Sequence, residues 1–462
     1  MKPSNKVEGR LTAFLDSAPS AIFVAYAVAA SFATYFCMYG FRKPFAAATF
    51  EGETFFGSSL ELKSAIVISQ IVGYAISKYI GIRACSELAS RYRASALALL
   101  IGIALAALAL YGALPNDWKF VAIFFNGLPL GLVWGLVVRY LEGRRSSELL
   151  LLGLSCSFIV SSGIVKDIGR AMMSGAVAQG WAEVPLVGAL VSQALGEVSE
   201  GWMPFVTGLH ILPWFLISVW LLDQIPGQSR ADVLARTQRQ PMDRESRKKF
   251  IQHFLPGILL LVTAYFFLTA YRDFRDNYAV EILSDLGYAY AGNATLITRA
   301  ETIVALGVLA LLALLNTIRD NRIGLLAALC IMAAGTLLLA VSTLLLQAEL
   351  ISGFWWLTLI GIGSYLAYVP YGSILFDRMM ASTGTVGTAV FAIYLADSIG
   401  YTGSVGMLLY KDFAQSELSK LAFFMQATWL MAAVGTLGLV CSAIYFWRHD
   451  GHRGEPAATT PG

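Results

Sequence analysis

Long apolar runs, each about the length of one membrane-crossing helix, alternate along this chain with short polar breaks. A helix rises 1.5 Å per residue, so about 20 apolar residues cross a hydrocarbon core about 30 Å thick. Runs of this kind occupy residues 20–48, 62–82, 94–114, 118–140, 147–170 and 202–222, and after a gap 255–279, 291–316, 322–347, 352–376, 385–410 and 421–447. The pattern predicts an all-α membrane protein of about twelve transmembrane helices in two six-helix bundles, residues 1–222 and 255–447. A polar linker, 223–254, joins them, and a tail, 448–462, follows.

Composition agrees with this reading. Of 462 residues, 57% are hydrophobic and only 14% charged, against about 25% charged in a soluble chain, and the mean hydropathy is +0.65. The formal net charge of +3 is too small and dispersed to attract nucleic acid. The expected partners are the lipid bilayer and a small solute, and the expected state is a monomer. Lys2, Lys6, Glu8, Arg10 and Asp16 interrupt the first twenty residues, which show no cleavable apolar leader, so the first span is retained. The cysteines, Cys37, Cys85, Cys156, Cys330 and Cys441, have no metal-site spacing and read as small core residues.

The distribution of charge sets the orientation. The linker carries Arg230, Arg236, Arg239, Arg244, Arg247, Lys248 and Lys249, and the other Arg-rich breaks (Arg83, Arg91 and Arg93; Arg144 and Arg145; Arg319 and Arg322; Arg448 and Arg453) fall on the linker's side. The positive-inside rule makes that side cytoplasmic. The expected location is the bacterial inner membrane with both termini in the cytoplasm. The segment 171–200 then lies outside, and its apolar centre, 184–195, predicts an interfacial helix.

The halves echo each other. Phe41-Arg42-Lys43-Pro44-Phe45 in the first span has a counterpart in Phe274-Arg275-Asp276-Asn277-Tyr278 in the seventh, and Asp167-Ile168-Gly169 resembles Asp397-Ser398-Ile399-Gly400. Two parallel six-helix repeats joined by a polar linker point to the major facilitator fold, whose solute site lies at the midplane.

Charges inside the spans are few and costly, roughly 2.5–3.5 kcal/mol each at the bilayer centre. They are Arg42 and Lys43 in the first span, Lys78 in the second, Lys166 and Asp167 in the fifth, Arg272, Asp273, Arg275 and Asp276 in the seventh, Arg299 and Glu301 in the eighth, and Asp397 in the eleventh. The bland reading of Arg42 and Lys43 is a helix that ends near residue 41 with both heads snorkelling to the surface. The apolar run from Phe45 to Phe50 argues instead for a helix that continues there and keeps a functional pair below the surface. In the seventh span, Arg272 and Arg275 share a face, and Asp276 stands four residues after Arg272, where an intrahelical pair can form. Such a ladder is the bland alternative to a guanidinium that meets solute. Arginine suits phosphate because its planar fork donates two parallel hydrogen bonds and stays charged.

Glu301 and Asp397 read as coupling, gating or ion-paired acids, with Asp167 beside them as a third candidate, and His210 as a core histidine. Tyr39 and Tyr74 lie near the cations, and Tyr368-Val369-Pro370-Tyr371-Gly372 marks a bend in the tenth span.

Two segments resemble the organophosphate:phosphate antiporters, the major facilitator branch of glycerol-phosphate and hexose-phosphate transporters. They are Tyr35 through Phe45, which holds the Arg-Lys pair, and Gly73-Tyr74-Ala75-Ile76-Ser77-Lys78-Tyr79-Ile80-Gly81. Glu301 with Gly307, Pro370, and Gly387-Thr388-Ala389 are further matches. The resemblance implies a phosphate clamp made by Arg42 and either Arg272 or Arg275, with Lys43 and Lys78 adding positive potential. The chain departs from the family in carrying Lys166 where a histidine is frequent, and in having two Arg and two Asp in the seventh span. The loop Arg83–Arg93 lacks the usual Asp-Arg core, which Arg319-Asp320-Asn321-Arg322 approaches.

The function expected is therefore exchange of a phosphorylated metabolite for phosphate by rocking of two bundles, with substrate candidates Arg42, Lys43, Lys78, Arg272, Arg275, Tyr39, Tyr74 and Lys166. The alternatives are a proton-coupled symporter of another organic anion, working through Glu301 or Asp397, and a non-transporting sensor with a basic linker. No nucleotide-binding loop, metal cluster or nucleophile motif occurs in the sequence, so neither an enzyme nor a cofactor or metal is expected.

Overall fold

The computed structural model describes residues 9–144, 146–176, 198–229, 232, 244–289, 293–383 and 389–449. The centre of the expected interfacial helix, most of the basic linker, and Gly387 and Thr388 lie outside these residues. Among the described residues, twelve long helices take the places of the twelve apolar runs. They are α1 (Ser20–Arg42), α2 (Leu62–Glu87), α3 (Arg93–Ala113), α4 (Lys119–Leu141), α5 (Ser147–Met173), α6 (Met203–Asp223), α7 (Arg244–Asn277), α8 (Leu296–Ala313), α9 (Asn321–Gln347), α10 (Gly353–Ser373), α11 (Ala389–Ala414) and α12 (Lys420–His449). Among the described residues, nine helices are long and apolar enough to cross a membrane, or ten with the bent α10 and the short helix after it. Many also present large apolar side chains outward, Leu99, Leu306 and Leu437 among them at 62–67% exposure. Helices apolar both inward and outward belong in lipid, and the protein is a multi-pass membrane protein.

Breaks in the helices follow the residues. In α7 the regular dihedrals lapse at Phe254, two residues before Pro256, because proline removes a backbone donor and crowds the preceding turn. At the end of α10, the chain bends by 48° into Leu375–Ala381, just beyond Pro370, where the sequence predicts an interruption.

The chain divides into two compact units whose boundaries cut across helices. The first comprises residues 1–237, 275–306 and 408–421; the second comprises 238–274, 307–407 and 422–462. In the first unit, α2 and α4 meet with their backbones almost touching. A Cβ at Gly73 would overlap the carbonyl of Phe124, and one at Gly127 that of Gln70. Gly127 and Gly131 form the small-xxx-small spacing that allows such approach in lipid. In the second unit, Gly335 of α9 and Gly363 of α10 meet in the same way.

Two cysteines depart from the core reading. Cys37 and Cys156 are buried, but Cys330 and Cys441 are exposed on α9 and α12. A weakly polar thiol is tolerated on a lipid-facing surface as readily as in a core.

Candidate functional site

In the first unit, α1 ends at Arg42, with Lys43 as its C-cap and a 3-10 turn over Pro44–Ala47. The helix thus stops where the snorkelling reading stops it, yet neither side chain reaches the surface. Arg42 is 7% and Lys43 4% exposed. The last carbonyls of a helix lack intrahelical donors, and here side chains of neighbouring helices supply them. Asn126 Nδ2 donates to Phe41 O (3.0 Å) and Ala104 O (3.1 Å), and Gln70 Nε2 donates to Arg42 O and Asn126 Oδ1 (2.9 Å each). These amides fix the direction in which the chain, and so Arg42, leaves the helix.

The Arg42 guanidinium lies over the Tyr74 ring at 4.0 Å and near Tyr39, whose hydroxyl is 3.5 Å from Nη1. Lys78 Nζ approaches the same Tyr74 ring at 5.2 Å. Two cations on one aromatic ring are held no further apart than about 9 Å, where like charges repel appreciably in a medium drier than water. Tyr35 and Trp134 pack edge to face at 4.9 Å behind this group.

Lys43 turns the other way. Its Nζ pairs with Asp276 Oδ2 at 2.6 Å and donates to Asn277 Oδ1 at 2.9 Å. Lys166 of α5, fully buried, donates to Asp276 Oδ1 (2.8 Å) and to the Asp276 carbonyl (2.7 Å), and the Ser162 hydroxyl donates to the same carboxylate. One aspartate thus holds two lysines. The Arg272–Asp276 ladder, the bland alternative, is not how Asp276 is used, because the lysines reach it from other helices. Arg275 is fixed by Glu301, Nη1 to Oε1 at 2.8 Å with both side chains buried. The cation facing Glu301 is therefore Arg275, three residues beyond Arg272 on α7. Close packing sets that geometry, since a Cβ at Gly163 would press on Glu301.

Asp167 acts at a helix start. The Thr298 N–H and hydroxyl both donate to its Oδ2 (2.8 and 2.7 Å), so a carboxylate from α5 caps the first turn of α8, and Arg170 stands 3.7 Å from Oδ1. Among the described residues of the first unit, the buried cations are Arg42, Lys43, Lys63, Lys78, Lys119, Lys166, Arg170, Arg275 and Lys411. The buried acids are Asp167, Asp276, Glu301 and Asp412. The excess of positive charge suits an anionic solute.

In the second unit, Arg272 pairs with neighbouring Asp273 at 2.6 Å and lies over the Tyr368 ring at 4.2 Å, while the Ser404 hydroxyl donates to Asp273 at 2.7 Å. Asp397 accepts from the Tyr265 hydroxyl at 2.6 Å, and Tyr265 stacks on Tyr368 at 5.3 Å. Sequence reasoning missed Gln70, Asn126, Ser162, Lys63 and Glu281. The first three are uncharged polar residues in apolar runs. Buried amides at span depth were the available signal for Gln70 and Asn126.

Solved structures with this arrangement of helices include the D-xylose–proton symporter, 16% identical over 93% of this chain and 98% of that one with a TM-score of 0.55. The inward-open xylose transporter XylE from E. coli is 12% identical over 95% and 98%, with a TM-score of 0.55. A bacterial homologue of the human lysosomal transporter Spinster, inward-facing and unoccupied, is 13% identical over 94% and 98%, with a TM-score of 0.58. At these identities the likeness shows the fold, which is that of the major facilitator superfamily. No curated protein matches the sequence. The sequence matches the family described as a family of unknown function (DUF5690) over residues 44–195 and 176–449. That match spans nearly the whole chain, and the protein belongs to this family of unknown function, DUF5690.

Proposed function

We propose that the protein is a secondary transporter of a small organic anion, a phosphorylated metabolite exchanged for inorganic phosphate by alternating access. The observation that carries this reading is the pair Arg42 and Lys78, two membrane-buried cations on the single ring of Tyr74. An oxyanion gains charge-assisted hydrogen bonds from both and relieves their mutual repulsion. The loaded carrier then reorients more readily than the empty one, which couples outward movement of one anion to inward movement of another. Support comes from the fold, shared with solute transporters, and from the resemblance of the Arg42 and Lys78 segments to organophosphate antiporters.

Arg42, Lys78, Tyr39 and Tyr74 take the role of substrate contacts in this reading. Lys43 and Lys166, held by Asp276, supply potential. Both seventh-helix arginines are held by buried acids, Arg275 by Glu301 and Arg272 by Asp273, so the substrate contacts of this reading are those around Arg42 and Lys78. Glu301, Asp397 and Asp167 are assigned to coupling or gating. In this reading the protein acts as a monomer in the bacterial inner membrane, and the charge count of its loops puts both termini in the cytoplasm. The residues 1–222 and 255–447 are the two moving bundles.

The Tyr265–Asp397 hydrogen bond favours a second reading, proton-coupled symport with Asp397 as the titrating group. The two readings part in proteoliposomes. Exchange requires phosphate on the far side and is lost in Arg42→Lys; symport runs on a pH gradient alone and is lost in Asp397→Asn.

A further inference from the structure

We propose that Tyr278 and the charges around it form a latch that closes one end of the carrier, the end at which α1 finishes. The proposal rests on the transport reading only for its purpose; the latch itself is read from contacts within the first unit. Tyr278, fully buried just beyond α7, has Lys63 Nζ 5.3 Å and Lys420 Nζ 4.7 Å from its ring centre, and its hydroxyl meets that of Ser64.

Each of these lysines is tied in turn. Lys63, at the start of α2, pairs with Glu281 and donates to the Ala46 carbonyl at 3.0 Å. Lys420, at the start of α12, bonds both oxygens of Glu61 at 2.7 Å. The Glu61 N–H donates to Asp412 Oδ2 at 3.2 Å, and the Leu421 N–H donates to Asp285 Oδ2 at 3.0 Å. Three of the four positions that open α2, Glu61, Lys63 and Ser64, are thereby fastened to the segment after α7 and to the facing ends of α11 and α12.

Chemistry separates this cluster from the substrate candidates. Here each lysine has its own glutamate, and Asp412 and Asp285 add two further acids, so the cluster has no excess of positive charge and no anion is called for. An aromatic ring beside two cations, each with its own acid, is stable while assembled and costly to take apart piecemeal, since parting leaves the buried Lys63 without its counter-ion. Opening of this end requires the start of α2 to leave Tyr278, and the paired charges make that a single cooperative step.

The test places a reporter at the joint. In a chain whose five native cysteines are replaced by alanine, Ser64→Cys puts a thiol where the hydroxyl met Tyr278. The rate of its modification by a membrane-impermeant maleimide is then measured without substrate. Expected is slow labelling in this parent, faster by more than about tenfold in Lys63→Met or Glu281→Gln. The double variant should label no faster than either single one, because both remove the same pair. Tyr278→Phe keeps the ring and labels near the parent rate, and Tyr278→Leu labels fast. Labelling of the single variants at the parent rate overturns the latch, as does a double variant whose acceleration is the product of the two. Since no substrate is used, a failed latch leaves the transport reading standing. A failed transport assay leaves the latch standing.

Discussion

Replacing Asp276 by asparagine tests the charge economy of the first unit. The side chain is 5% exposed and lies between Lys43 at 2.6 Å and Lys166 at 2.8 Å. In Asp276→Asn the two ammonium groups remain, within about 7 Å of each other, and at an effective dielectric of about 20 their repulsion alone is roughly 2 kcal/mol. Loss of one partner from a buried ion pair costs about 3–5 kcal/mol, and here one carboxylate serves two lysines. The variant should therefore lose a large part of its stability, read as a fall in the apparent melting temperature of the detergent-solubilised protein. Asp276→Asn combined with Lys166→Met removes one stranded charge and should recover at least half of the loss. Equal melting of the single and double variants would refute the reasoning, since the damage would then lie in shape and not in charge.

Asn126→Leu takes the donor from the carbonyls of Phe41 and Ala104 and should destabilise by about 1–3 kcal/mol, measured by chemical or thermal unfolding in detergent; it should also lower substrate affinity through the changed exit of Arg42. Gly127→Val forces a side chain against the Gln70 carbonyl and should prevent α2 from packing on α4, giving little folded protein in the membrane, whereas Gly102→Val, at a position where an added Cβ meets nothing within 4 Å, should accumulate normally.

Apolar run length determined the twelve helices in advance because lipid leaves no other way to satisfy the backbone, and both Pro-linked breaks in α7 and α10 follow from a missing donor. The burial of Arg42 and Lys43 was legible from the apolar residues after them, but the end of the helix at Arg42 was not. Its carbonyls are satisfied by Asn126 and Gln70, far away in sequence. The same limit misdirected Asp276. Spacing on one helix offers Arg272 as a partner, whereas Lys43 and Lys166 arrive from α1 and α5, and only packing decides between near and distant cations. Lys63 and Glu281 escaped notice because a charge at the end of a span normally reads as solvated, yet Lys63 is 2% exposed.

Radiolabelled phosphate exchange in proteoliposomes tests directly whether the protein is an anion exchanger. Wild-type protein should take up labelled phosphate only when phosphate or a phosphate ester is present on the far side. Arg42→Lys, folded and inserted, should lose that uptake by about ten- to a hundredfold, in keeping with loss of a bidentate charged contact. Uptake that needs no counter-anion, or no exchange with any phosphate ester, contradicts that role.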